Sequence, residues 1–359
     1  MNKNIAVFSL GRRGAGPLLG FILAENLSKY MDVLYIYSNQ SEIADRTNVS
    51  GVKSFGIDTF ESLWEMVVSL VKPFWIIKII KQLKKQKIKI VIWPMPHPWT
   101  PILNIFMAGI GLRTITIMHD ISPHKGEPAV LKIFNKAVIW TTHKIIVLSM
   151  FSLRKIKIAK LLKKTNYAKL GYLGIGDDTS AEVSRGKEIL FFGRIEPYKN
   201  IEGLLDIFEE VSKSDMEIKL TIAGEGDISK FALRIGKNSN IKLINRWISN
   251  KEIPSLFKKA SLVVLPYSEA TQSGIIQIAY EFHTPVIAYD LGGMSEQIIN
   301  GQTGYLISRN DKKEFAEKCL AIINHTELFN KLSNGIIKRQ EDALWGKIIK
   351  KYLDVLNEE

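Results

Sequence analysis

The sequence predicts an α/β protein made of two parallel-sheet domains, with a C-terminal helix that returns to the first. Three observations predict this. Short apolar runs alternate with segments of helical spacing along the whole chain, the pattern of parallel strands joined by crossover helices. A length of 359 residues suits two domains of ordinary size. Near the middle, residues 171–187 are rich in Gly, Asp, Ser and Thr and interrupt the alternation. The domains are therefore placed at 1–171 and 172–340, and the returning helix at 341–359.

In the first half, Ile5–Leu10 reads as a strand and Gly11–Gly16 as a glycine-bearing turn into a helix from Pro17 to about Tyr30. Val33–Tyr37, Ile88–Trp93, Thr114–Met118 and Lys144–Leu148 read as further strands. Residues 60–86 read as helix, kinked or broken at Pro73. Strands of the second half are Glu188–Phe192, Ile218–Ala223, Ile241–Ile244, Leu262–Leu265 and Val286–Ala288. Ser249 and Glu252 have capping-box spacing ahead of a helix. From 341 onward, Leu344, Trp345, Ile348, Ile349, Tyr352, Leu353 and Leu356 form one helical stripe.

Composition excludes several classes. A hydrophobic content of 46% with 24% charged residues is that of a globular chain. The single Cys319 excludes an internal disulfide and fits a reducing compartment. No secretory signal is visible, and no apolar run has the length of a membrane span; Met66–Ile80 comes nearest and is broken by Lys72, Pro73 and Lys78. A cytoplasmic protein is expected. The net charge of +13 is uneven: residues 1–170 hold 25 Lys and Arg against 9 Asp and Glu, and residues 171–359 hold 24 against 27. Basic, partly aromatic segments at 72–89 and 154–164 suit an anionic membrane surface, or are solvated helix faces. Nothing in the chain resembles a nucleic-acid recognition motif.

The chemistry concentrates in the second half. Gly193-Arg-Ile-Glu-Pro-Tyr-Lys199 follows a buried strand and sets two cations where open α/β sheets bind ligands. Arg194 can fork onto two oxygens and Lys199 acts as a point charge, which suits a diphosphate; a solvated loop is the competing reading. Gly224-Glu-Gly-Asp227 is a turn for close backbone approach, with a structural or a ligand role. Trp247 and Ile248 either border a flat base or staple the following helix. Ser273 and Gly274 open a helix whose N-terminus can take an anion, with Glu269 before it and Gln277 in its first turns. In the first half, His119 ends a strand, and His124 follows after Pro123. His119 reads as a site, core, metal-ligating or loop residue, although Pro123 and the lack of cysteine support argue against metal.

The ordered set Gly-Arg-Ile-Glu-x-x-Lys, Ala-Gly-Glu-Gly, Leu-Pro-Tyr, Ser-Gly, Pro-Val-Ile-Ala and Gly-Gly-x-x-Glu resembles the retaining glycosyltransferases of family 4. It covers residues 188–308 closely and the termini loosely. The resemblance implies a GT-B fold, two Rossmann-like domains facing a cleft. It implies a nucleotide-diphosphate-sugar donor held by Arg194, Lys199, Gly14, Gly224, Trp247, Ile248, Ser273, Gly274 and Gln277, with His119 and Glu269 as the catalytic pair. Where the family carries a second glutamate eight positions after the first, this chain has Gln277, a Gln-Ser-Gly variant; alignment from Pro285 puts Ile278 there instead. No metal or other cofactor is implied, because Arg194 and Lys199 stand in its place. The Gly11–Gly16 turn does not match the dinucleotide fingerprint, so a nicotinamide enzyme is not expected.

The implied reaction is hexosyl-type transfer with retention onto an acceptor hydroxyl. A lipid-linked sugar in surface polysaccharide synthesis is the acceptor expected at the inner face of the membrane. The alternatives are a catalytically weak GT-B partner subunit and a nucleotide-sugar epimerase.

Overall fold

The computed structural model describes residues 4–48, 51–71, 74–121, 128–175 and 185–358. The chain divides into two compact units. The first holds the described residues of 4–169 and 345–358, and the second those of 170–344.

The first unit runs β1 (Ile5–Ser9), α1 (Ala15–Ser28), β2 (Val33–Ser38), β3 (Lys53–Ile57), α2 (Leu63–Val71), α3 (Phe74–Lys85) and β4 (Ile90–Trp93). It continues through α4 (Thr100–Gly109), β5 (Arg113–Met118), α5 (Ala129–Thr141), β6 (Lys144–Val147), α6 (Met150–Arg154), α7 (Ala159–Lys163) and β7 (Thr165–Tyr167). Its strands lie in the order β3-β2-β1-β4-β5-β6-β7, all parallel. β1 and β4 are buried at every residue, which is why they read as unbroken apolar runs: helices cover both faces of a parallel sheet. The core joins Phe8, Trp93, Trp99, Ile79 and Leu103 across strands and helices.

The second unit runs β8 (Glu188–Phe192), α8 (Ile201–Ser214), β9 (Lys219–Ala223), α9 (Ala232–Gly236), β10 (Ile241–Ile244), α10 (Ile253–Lys259) and β11 (Leu262–Leu265). There follow α11 (Gly274–Glu281), β12 (Val286–Tyr289), α12 (Met294–Gln297), β13 (Gly304–Ile307), α13 (Lys312–Asn324) and α14 (Thr326–Ala343). The order is β10-β9-β8-β11-β12-β13, again parallel. α8 buries Ile201, Leu204, Leu205, Phe208 and Val211, the stripe expected from their spacing. Two parallel Rossmann-like sheets in this sequence order are the GT-B architecture.

α15 (Trp345–Asn357) belongs to the first unit. Tyr352 donates its hydroxyl to the Lys169 carbonyl (3.2 Å), and Arg113 donates to the Glu358 carbonyl (2.6 Å). The single helix expected from 341 is in fact two segments. α14 ends at Ala343, and Leu344, expected in the buried stripe, is an extended joint with 45% exposure. Beside that joint the Tyr172 amide donates to the Ala343 carbonyl (3.2 Å). Glu281, buried in α11, accepts from the amides of Leu173 and Ile175 and pins the entering chain.

Other expectations shift as well. Residues 60–86 form α2 and α3, while the break expected at Pro73 lies outside the described residues. α10 starts at Ile253 rather than just after Ser249. The Glu252 carboxylate does accept from the Ser249 amide (3.1 Å), but the Ser249 hydroxyl donates to that carboxylate instead of capping (2.7 Å), so the pair locks a turn before the helix.

Candidate functional site

In a parallel sheet, the loops on either side of the point where strand order reverses leave a crevice at the carboxyl ends. In the second unit that point lies between β8 and β11. The loop after β8 carries Gly193, Arg194 and Lys199, and the loop after β11 carries Glu269, Ser273 and the start of α11. Topology thus brings together two motifs that lie some 75 positions apart in the chain.

The two loops are laced to each other. Asn200 sits in the left-handed region (φ 58°) and caps α8 by accepting from the Gly203 amide (3.1 Å); its Nδ2 donates to the Pro266 carbonyl (3.0 Å). The Ser268 amide donates to the Tyr198 carbonyl (2.7 Å). Neither Asn200 nor Ser268 was singled out in the sequence, although an Asn before a helix is a recognisable cap.

Lys199 is the centre of this arrangement. It is buried, at 7% exposure, and its Nζ lies 5.5 Å from the centroid of the Tyr267 ring. A Cβ added at Gly193 (φ 109°) would stand 2.5 Å from that Nζ and 3.6 Å from Ile275 Cδ1, so the ammonium rests against the glycine beside the first turn of α11. Among the described residues it has no hydrogen bond or ion pair. Burial, and then the neighbouring Arg194, push its pKa down to about 8, with Glu196 opposing them. Arg194 is 71% exposed at the side chain and lies 3.6 Å from the Glu196 carboxylate, loosely held at the rim.

α11 begins at Gly274 with Ser273 as its N-cap, whose hydroxyl accepts from the Ile275 amide (3.3 Å). Gln297 grips Ser273 on both sides: its Oε1 accepts from the Ser273 amide (2.7 Å) and its Nε2 donates to the Ser273 carbonyl (2.9 Å). The amide of Ser273 is therefore taken, while the Gly274 amide meets no acceptor among the described residues. Gln277 is buried in α11 with an Oε1 that meets no donor among the described residues. Ile278, the alternative at that position, is buried. Glu269 is half-buried on the loop.

Gly224 and Gly226 have a packing role. A Cβ on Gly224 would lie 2.2 Å from the Gly193 carbonyl oxygen, and one on Gly226 would lie 2.4 Å from that of Ile195. The Ala-Gly-Glu-Gly turn lets the β8 loop lie flat on the β9 loop. At the end of β10, Ile248 is buried and serves the core, while Trp247 is half-buried.

In the first unit the reversal lies between β1 and β4. Gly14 (φ 85°) turns the chain from β1 into α1. His119 follows β5 and is half-buried; burial lowers its pKa, while Asp120 and a hydrogen bond with the Pro94 backbone oppose that shift. This places the ring at the carboxyl ends of β4 and β5. His97, on the loop after β4, carries no signal in the sequence. It is buried against Phe60 (5.1 Å between centroids), accepts from the Trp99 amide at Nδ1 (3.3 Å), and is pushed by burial to about 3, so it stays neutral. His124 lies outside the described residues.

Residues 186–325, which span β8 to α13, match the family described as Glycosyl transferases group 1. A trehalose synthase of Thermococcus litoralis is 27% identical over 177 residues, covering 46% of this chain and 42% of that protein. The capsular polysaccharide biosynthesis glycosyltransferase CapM of Staphylococcus aureus is 26% identical over 164 residues, covering 44% and 42%. The matched stretch thus spans less than half the length of these relatives. Among solved structures, Anabaena HepE in complex with UDP and glucose superposes with a TM-score of 0.71 at 14% identity, covering 100% of both chains. At that identity the likeness speaks for the fold.

The Lys199 environment has a pH consequence. An anion bound against the ammonium stabilises its charged form, so the bound pKa exceeds the free value of about 8. Affinity is then full below pH 8 and falls as pH rises past it. A diphosphate ligand measured by calorimetry is expected to bind about tenfold more weakly at pH 9 than at pH 7, the ratio of protonated lysine at those two values. A flat profile would remove Lys199 from the anion site.

Proposed function

We propose that this chain is a retaining glycosyltransferase that moves a sugar from a nucleotide-diphosphate-sugar to an acceptor hydroxyl. The carrying observation is the buried Lys199 ammonium, without an ion pair among the described residues, against Gly193, beside the α11 N-terminus, at a strand-order reversal within residues 186–325 that match the family. A buried cation without a counter-ion is costly, and a diphosphate supplies the missing charge. In this reading Lys199 holds the diphosphate from within and Arg194 closes on it from the rim. The Gly274 amide adds a hydrogen bond from the positive end of α11. These groups stabilise the charge that develops on the leaving diphosphate, so no metal is required.

Gln277, with its unsatisfied Oε1, takes a hydroxyl of the ribose. Glu269 is assigned to the donor sugar, and His119 to a sugar hydroxyl. The leaving diphosphate accepts the proton of the attacking hydroxyl, and the sugar keeps its configuration because attack and departure share one face. UDP is the first nucleotide to try, because HepE binds it on this fold. A sugar carried on a lipid, in polysaccharide synthesis of the kind CapM serves, is the proposed acceptor. The basic surface of the first unit holds the protein at the inner face of the membrane.

The test is a thermal-shift series with UDP-, GDP- and ADP-sugars and their diphosphates, with and without chelator. A ligand bound at 100 times its Kd stabilises by about 2.7 kcal/mol, an easily read change. A shift with one nucleotide series that survives chelation is expected. No shift with any nucleotide, from folded protein, would reject the donor site.

A further inference from the structure

Residues 66–164 contain 18 Lys and Arg and only 2 Asp and Glu. The same stretch carries large apolar side chains in the open. α4 has no charged residue, yet Ile105 and Phe106 on it are 62% and 49% exposed. α5, packed against α4, has Val138 as its one fully buried residue and exposes Val130, Ile133 (68%) and Trp140 (88%). Ile133 and Trp140 are seven positions apart and so share one helical face. The only charges on α5 are Lys132 and Lys136. Large exposed apolar side chains, interrupted on α5 only by the exposed Lys132 and Lys136 among charged residues, are not a surface built for water alone.

We propose that the α4–α5 face inserts shallowly into an anionic lipid surface. Trp140, Ile133, Ile105 and Phe106 sit at the level of the headgroups, where an amphipathic indole is favoured. Lys132 and Lys136, exposed among these apolar side chains, and the wider basic surface meet anionic headgroups. Charge selects the occupant. Two copies of this face packed about a twofold axis would bring the same lysines together, which opposes a dimer. Aliphatic Ile105 and Ile133 offer no stacking platform for nucleic-acid bases. Among the described residues no helix is long and apolar enough to cross a membrane, so contact here is from one side. The inference rests on the proposed membrane-side acceptor and names the surface that reaches it, a different one from the lysines of α3.

Cys319 is the chain's only cysteine and is buried, so Ile133→Cys can carry an environment-sensitive dye without competing labelling. Vesicles of phosphatidylglycerol and phosphatidylcholine are expected to shift the dye emission to the blue, with quenching by a nitroxide on the lipid; pure phosphatidylcholine should do far less. Ile133→Ser with Trp140→Ser should weaken vesicle binding at least tenfold at 0.5 M NaCl, where purely ionic contacts are screened. Binding with no dye change would overturn the proposal in favour of the lysines alone. Dye change without lipid, with doubled mass in sedimentation, would make the face a dimer interface; no vesicle binding at all would also overturn it. The UDP thermal shift, read on the same samples, separates the two readings. A retained shift with lost vesicle binding spares the transferase, and an absent shift with intact binding spares the lipid face.

Discussion

Lys199→Met is expected to weaken UDP binding strongly while leaving the unliganded protein as stable as before, or more so. The side chain is buried and has no ion pair among the described residues, so the native fold bears the cost of an uncompensated charge. Methionine fills most of the same volume, keeps contact with Tyr267, and needs no counter-ion. The ligand loses a charge-assisted contact of about 2–3 kcal/mol, roughly 30- to 150-fold in Kd. Most surface lysines give no such opposed pair of effects. Calorimetry with UDP, together with the Tm of the free variant, reads both. Unchanged affinity would detach Lys199 from the donor, and a large drop in the free Tm would make it a structural residue. Arg194, exposed and loosely paired, is expected to lower turnover and donor binding when replaced by Ala, with no effect on folding.

Gly224→Ala is expected to be among the most destabilising single changes in the second unit. Its φ of 151° is one that alanine rarely adopts, and its Cβ would strike the Gly193 carbonyl oxygen at 2.2 Å. Both atoms belong to backbone fixed at the ends of paired strands β8 and β9, so neither can move cheaply. A loss of about 3 kcal/mol or more follows, or about 6–12 °C in Tm for a domain of this size. Gly236→Ala at the end of α9 is the control: nothing lies within 4 Å of its added Cβ, and the change should be neutral or slightly stabilising. Equal melting of the two variants would refute the packing role. The same collision would displace Gly193, the glycine against which Lys199 rests, so residual folded Gly224→Ala protein should also bind UDP poorly.

The fold was legible where burial leaves a strong mark on sequence. β1, β4, β8, β11 and β12 are central strands covered on both faces, and each reads as an apolar run with near-correct ends. β3 and β7 leave no such mark because both are edge strands: Lys53-Ser-Phe-Gly-Ile57 begins on exposed residues, Thr165-Asn-Tyr167 is only three residues long, and neither carries an apolar run. β13 leaves little strand signal because its glycine and the nearby Gly301 have the composition of a turn. Gly304 is in fact the first residue of the strand, admitted because a Cβ there would lie 1.9 Å from the Val286 carbonyl oxygen. Leu344 matched a helical stripe by spacing alone, which cannot register the extended joint where the chain changes units.

By itself the sequence determined two parallel-sheet halves, the positions of the glycine turns, and the pairing of an arginine with a lysine after one buried strand. Residue type and local period suffice for these, because they depend on near neighbours. Only the tertiary structure decided that β8 lies beside β11, so that Lys199 meets the first turn of α11. Only it decided that Gln297 occupies the Ser273 amide while Gln277 keeps an unmet Oε1, and that Gly224 serves backbone packing. The exposed α4–α5 face belongs to the same class, since an apolar helix position reads identically in sequence whether a neighbour covers it or nothing does. Strand order and solvent exposure arise from contacts between residues far apart in the chain, and no local pattern encodes them.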